Sequence, residues 1–185
     1  PLSADPTLET VTARDGLTFT GWLFQPPAGV ETSGAMLFLH GGPEGQGRPG
    51  YNEFFPGLLE AGICVFLPNV RGSGGFGRSF MHADDRERRF AAIDDVADAV
   101  RFLVDNGHAP AERVACCGWS YGGYMTIKML QANPGVYAAG IAVAPVTKWE
   151  LYDTHYTERY LGDPRTEPEV YAKSNALSDT SKIGD

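Results

Sequence analysis

Four short apolar runs constrain this 185-residue chain more than any other feature. They cover residues 35–40, 63–67, 114–117 and 138–144. Each run is nearly continuous, with little polar alternation. A strand that is apolar on both sides has to be covered on both faces, which is the condition of a parallel sheet. Helical spacing lies between the runs. Ile93, Val96, Val100 and Leu103 fall on one helical face. Asp94, Asp95 and Asp98 suit the N-terminal half of that helix electrostatically, and Asn106-Gly107 closes it. The pattern predicts a second helix over residues 121–132, stopped by Asn133-Pro134. A third is predicted over residues 51–61, which contain Pro56. Upstream, residues 17–24 alternate well enough for a strand, and residues 25–34 read as a turn. Residues 1–16 are polar, hold Pro1 and Pro6, and read as a linker or lead-in segment. Strands alternating with helices define the α/β class, a mostly parallel sheet with helices on both faces.

Composition narrows the function classes. Hydrophobic residues make up 43% and charged residues 21%, which is ordinary for a globular domain. One domain is expected. The formal charge is −8 with no basic stripe, so a nucleic-acid partner is not expected. Arg86, Arg88 and Arg89 sit among Asp84, Asp85 and Glu87 and read as a solvated charged face. The cysteines, Cys64, Cys116 and Cys117, are odd in number and lie in strand-like runs. That argues against a disulfide framework and for small buried hydrophobes in a reducing compartment, the cytoplasm. No run approaches the ~18 apolar residues of a membrane span, and no signal-peptide pattern is present. The four histidines are scattered, with no metal-ligand spacing. No metal, cofactor or membrane is expected.

Chemistry concentrates in the glycine-rich stretches after the runs, at the sheet edge where open α/β sheets bind ligands. Gly118-Trp119-Ser120-Tyr121-Gly122 fits G-x-S-x-G and sits between a strand and a helix. A turn that lifts Ser120 above the sheet must be very tight. Side chains two before and two after would collide, so Gly118 and Gly122 are required. Ser120 is then the candidate nucleophile. A nucleophile for acyl transfer needs hydrogen-bond donors where the oxyanion forms. The N–H of Tyr121 is one candidate, and Gly42 in His40-Gly41-Gly42-Pro43 is the other. Gly72-Ser73-Gly74-Gly75-Phe76-Gly77 fits the dinucleotide fingerprint G-x-G-x-x-G, but its context does not. Pro68 interrupts the strand before it, and no amphipathic helix follows.

Taken in order, four stretches carry a likeness: residues 40–43 (HGGP), 67–73 (LPNVRGS), 94–96 (DDV) and 118–125 (GWSYGGYM). Over roughly residues 15–185 the chain resembles the prolyl oligopeptidase family of serine peptidases, in its acylaminoacyl-peptidase and dipeptidyl-peptidase-like branch. The resemblance implies the α/β-hydrolase fold over residues 17–185. It implies peptide substrates, and a β-propeller in the same full-length chain. It also implies a substrate-pocket wall at Trp149, Tyr152 and Tyr156. Oligomerisation is left open. In this fold the triad runs Ser, Asp, His. Too few residues follow Ser120 to hold the latter two at family spacing, and His155 falls in the pocket-wall segment. The expectation is therefore the N-terminal portion of a catalytic domain, with its C-terminal part missing. Residues 138–144 would then form an uncovered apolar edge. The same machinery could act on esters, as in carboxylesterases and lipases. A non-catalytic α/β binding domain is the third reading.

Overall fold

A computed structural model describes residues 5–183. Residues 1–4 of the expected lead-in segment, and Gly184 and Asp185, lie outside it. The strands are β1 (Thr7–Thr12), β2 (Thr18–Phe24), β3 (Gly34–Leu39), β4 (Ile63–Asn69), β5 (Val114–Trp119) and β6 (Ala139–Val143). The α-helices are α1 (Phe55–Glu60), α2 (Arg78–Met81), α3 (Arg89–Asp105), α4 (Tyr121–Ala132), α5 (Thr154–Leu161) and α6 (Pro168–Ser174). One sheet runs in the order β1-β2-β4-β3-β5-β6. β4, β3, β5 and β6 are parallel, while β1 and β2 add an antiparallel flank. Parallel neighbours joined through helices give the expected α/β architecture.

Four features differ from the sequence expectation. Within the lead-in segment, residues 7–12 form edge strand β1, with Val11 buried opposite Phe19. Its exposed polar partners on the other face hid the pattern. Pro68 does not interrupt β4, which runs through to Asn69. Pairing with β3 ends at Phe66, so the proline falls where β4 has β2 as its one neighbour. The helix expected from residue 51 starts at Phe55, with Pro56 in its first turn, where a missing N–H costs nothing. α3 begins at Arg89, so Asp94, Asp95 and Asp98 lie beyond its first turn. Asp95 and Asp98 are buried and take arginines from incoming loops.

The two faces of the sheet are covered unequally. α3 and α4 pack on one side, against Leu37, Leu39, Phe66 and Cys116. On the other, α1 covers Phe24, Val65 and Leu67 with Phe55 and Leu59. Beside α1, Met36, Phe38, Leu58, Cys117, Trp119 and Ile141 line an apolar groove of about 520 Å³. β6 is the sheet's last strand, and Ile141 on it is 50% exposed. This is the uncovered apolar edge expected of residues 138–144, with α4 packed on one face. Cys64, Cys116 and Cys117 are free thiols, and burial pushes Cys64 and Cys116 up to about 12. No helix among the described residues is long and apolar enough to cross a membrane.

Candidate active site

The site is built on a turn one residue long. β5 ends at Trp119 and α4 starts at Tyr121, so Ser120 alone reverses the chain. It adopts φ 56° and ψ −116°, a conformation that costs a non-glycine residue about 1–3 kcal/mol. Hydrogen bonds fix it on both sides. Its N–H donates to Val143 O at 3.0 Å, and its carbonyl accepts from Tyr124 N at 3.0 Å. The flanking glycines are steric requirements. A Cβ on Gly118 would strike the backbone of Gly122, and one on Gly122 would strike the carbonyl oxygens of Leu39 and His40. That second contact seats the start of α4 against the end of β3.

The loop leaving β3 therefore runs beside Ser120. A Cβ built on Gly41 would lie 3.7 Å from Ser120 Cβ. Gly42 follows at φ 133°, a conformation open to glycine. Tyr121 is the first residue of α4, so its N–H has no acceptor inside the helix. The serine and both residues chosen as oxyanion donors thus belong to adjoining turns. His40 is turned away from the serine. Its Nδ1 pairs with Gly41 O and its Nε2 with Ser73 Oγ, both at 2.8 Å, and burial lowers its pKa. It holds the two glycine-rich loops together. Asn69 adds a second tie, accepting from Gly47 N at 2.7 Å.

The second glycine loop is anchored by charge. Arg71 donates to both oxygens of buried Asp95 at 2.7 Å, and also to Asp15 at 2.8 Å. Asp95 raises the guanidinium's pKa, while burial raises that of Asp95 against the pull of Arg71. Removing one partner of such a pair typically costs 3–5 kcal/mol. The helix after this loop, α2, has four residues, which fits the rejection of a dinucleotide site.

An aromatic wall stands beside the elbow. Trp149 and Tyr156 stack with ring centres 5.9 Å apart and planes 11° apart. Tyr152 meets both edge-on, at 6.3 and 5.2 Å. Asp153 caps α5 by accepting from Tyr156 N at 2.9 Å. The Tyr156 hydroxyl donates to Gly42 O, joining wall to oxyanion loop. Trp149, Tyr152 and Tyr156 therefore do come together with Gly42. They are not equivalent, because Tyr152 is 44% exposed and Trp149 only 1%. Tyr152 and half-buried Tyr156 keep exposed ring surface, while buried Trp149 supports them from behind. His155 is exposed on α5.

Sequence reasoning missed what lies behind the wall. Arg89 and Asp84, expected on a solvated face, are 0% and 1% exposed. Arg89 lies over the rings of Trp149, Tyr121 and Tyr124 at 4.8, 5.3 and 5.4 Å. None of its guanidinium nitrogens has a hydrogen-bond partner among the described residues. Desolvating an ion costs several kcal/mol. Three ring faces, at about 2 kcal/mol each when desolvated, offset that. Asp84 accepts from the Tyr121 hydroxyl at 3.0 Å. Burial pushes its carboxyl up to about 6, against the pull of Arg89. One signal was available. Arg89 precedes Ile93 by four residues, so it continues the apolar face of α3 back by one turn.

A serine raised on a one-residue strand–helix turn, over a mostly parallel sheet and beside a glycine loop, defines an α/β-hydrolase domain of the serine-nucleophile type. The prolyl oligopeptidase family model matches residues 53–184. The chain belongs to that family. It is 46% identical over 118 residues to dipeptidyl peptidase 4 of Bos taurus, an alignment covering 63% of this chain and 15% of that protein. It is 33% identical over 181 residues to prolyl endopeptidase FAP of Mus musculus, covering 94% and 24%. Dipeptidyl peptidase 4 of Porphyromonas gingivalis superposes with a TM-score of 0.88 at 27% identity, over 96% of this chain and 26% of that one. An acylaminoacyl peptidase in complex with Z-Gly-Gly-Phe-chloromethyl ketone superposes at 0.85 with 25% identity, over 97% and 30%. The chain spans between 15% and 30% of the length of these relatives.

Proposed function

We propose that this chain carries the nucleophile and oxyanion elements of a serine peptidase acting on short peptides or on peptides with blocked amino termini. Ser120 Oγ attacks the scissile carbonyl and forms an acyl-enzyme. The N–H groups of Gly42 and Tyr121 hold the oxyanion, a contribution of about 3–4 kcal/mol per donor in serine hydrolases. The proton of Ser120 passes to a histidine oriented by an acidic residue. His40 is engaged by Ser73 and His82 by Asp85, His155 is exposed on α5, and the family order Ser, Asp, His assigns that pair to the rest of the full-length polypeptide. A β-propeller in the same polypeptide would restrict access to short peptides. The cytoplasm is the proposed compartment, on the strength of the free thiols.

The observation that carries the peptidase reading is the aromatic wall hydrogen-bonded to the oxyanion loop through Tyr156 and Gly42. Flat rings meeting edge-on suit a compact apolar residue before the scissile bond, alanine or proline. The relative named prolyl endopeptidase supports proline. The test uses the full-length polypeptide encoded by the gene. It should hydrolyse dipeptide or N-acetylated peptide anilides ending in Ala or Pro, and Ser120→Ala should lower that rate by at least 10³-fold. Efficient cleavage of p-nitrophenyl esters with no cleavage of any anilide would overturn the peptidase reading in favour of an esterase.

A further inference from the structure

Three elements that are distant in sequence meet at one buried cation. Arg89 starts α3, Tyr121 and Tyr124 start α4, and Trp149 opens the 3₁₀ turn Trp149–Leu151 just before α5. The Arg89 guanidinium faces a ring from each of the latter two. A structural ion pair normally explains a fully buried arginine. Here no carboxylate oxygen hydrogen-bonds its nitrogens among the described residues; buried Asp84 attracts it through space, with Oδ2 taken by the Tyr121 hydroxyl and Oδ1 left without a hydrogen-bond partner. The guanidinium's close contacts are ring faces, and those rings are selected. Tyr121 follows the nucleophile. Trp149 carries Tyr156 by stacking and Tyr152 by an edge contact.

From this placement we propose that Arg89 is a positioning residue for substrate selection. By fixing the plane of Trp149 relative to Tyr121, it sets the distance of Tyr152 and Tyr156 from Ser120. That distance sets the size of residue accepted before the scissile bond. Arg89 touches no substrate and acts through Trp149. The elbow needs no such help, because backbone contacts hold it. Removing Arg89 should therefore loosen the wall and leave the nucleophile intact. The inference rests on the reading of Tyr152 and Tyr156 as pocket wall, and its test separates the two.

The experiment uses full-length polypeptide carrying Arg89→Met, which keeps length and removes the charged plane. Anilide substrates with Ala or Phe before the scissile bond are compared. Ser120 is separately titrated with a small alkyl fluorophosphonate. The expected result is a fall of about tenfold in the Ala-over-Phe ratio of kcat/KM. It should come from a raised KM for the Ala substrate, with the labelling rate within twofold of wild type. Trp149→Phe, which keeps a ring but offers the cation less surface, should shift the ratio the same way by about threefold. An unchanged ratio in either variant overturns the proposal. So does a loss of ratio and labelling in equal proportion, which marks a general structural role. If Arg89→Met does not fold, Trp149→Phe decides alone. A wild type with no Ala-over-Phe preference removes the pocket wall itself. A wild type that prefers Ala, with variants that also do, removes only the role of Arg89.

Discussion

The elbow around Ser120 and the aromatic wall beside it share a site but are held by different means. Backbone holds the elbow. Gly118 and Gly122 admit carbonyls where a methyl group would clash, and Ser120 is pinned by main-chain bonds to Val143 and Tyr124. Side chains hold the wall. Trp149, Tyr152 and Tyr156 are placed by ring contacts, by one phenol hydroxyl on Gly42, and by the Arg89 cation behind them. A backbone-held feature has few ways to move, so a substitution there breaks it or leaves it alone. A feature held by side chains is a set of soft contacts, so its geometry shifts by degrees. The difference teaches where catalysis and selectivity can vary separately. On the proposed reading, the nucleophile is fixed by the fold and the pocket is adjustable.

The comparison can be broken most severely at Trp149. Trp149→Ala removes a fully buried ring and strips Arg89 of one of its three π faces. Destabilisation of about 4 kcal/mol is expected, read as a fall in melting temperature of the full-length polypeptide. Fluorophosphonate labelling per folded molecule should persist, and its loss would show that the elbow depends on the wall. Gly122→Ala is the reverse probe. Its methyl group meets the carbonyls of Leu39 and His40, so about 3 kcal/mol is expected to be lost. Here labelling should vanish even in the folded fraction, and retained labelling would mean that the turn can yield.

Asp84 sharpens the comparison on a smaller scale. Burial raises its carboxyl from an ordinary 3.8 to about 6. The folded state therefore favours the protonated form. The penalty for ionising it is absent at low pH, grows as pH rises through the interval from 3.8 to about 6, and is complete above. Stability of the wild type should gain about 1 kcal/mol between pH 7 and pH 5 relative to Asp84→Asn. Parallel stability curves for the two proteins would show that Arg89 and Tyr121 already balance the charge. Tyr156→Phe gives the smallest effect, a loss of about 1 kcal/mol from one hydrogen bond to Gly42. It should read out as a severalfold lower kcat on peptide anilides with normal labelling at saturating probe.

Legibility in the sequence followed the same division. The elbow could be read because its determinants are consecutive: an apolar run, two glycines around a serine, then helical spacing. The helix over residues 121–132 has the bounds that its pattern predicts. The three aromatic residues of the wall came from family likeness, and their grouping around Gly42 is a tertiary fact. Asp84 could not be placed from its surroundings in the chain, and Arg89 had only its helical spacing to Ile93 to mark it. Alternating acids and bases look alike whether water or rings will face them, and burial depends on α4 and the Trp149 turn arriving there. β1 was hidden for a related reason, since one buried valine among exposed polar residues makes a faint strand signal.

The most direct test of the account is chemical. The full-length polypeptide would be treated with a fluorophosphonate, digested and analysed by mass spectrometry, with peptide-anilide hydrolysis followed in parallel. The account predicts one adduct, on Ser120, appearing in step with loss of hydrolysis. An adduct on another serine, or full inhibition with Ser120 unmodified, would contradict it.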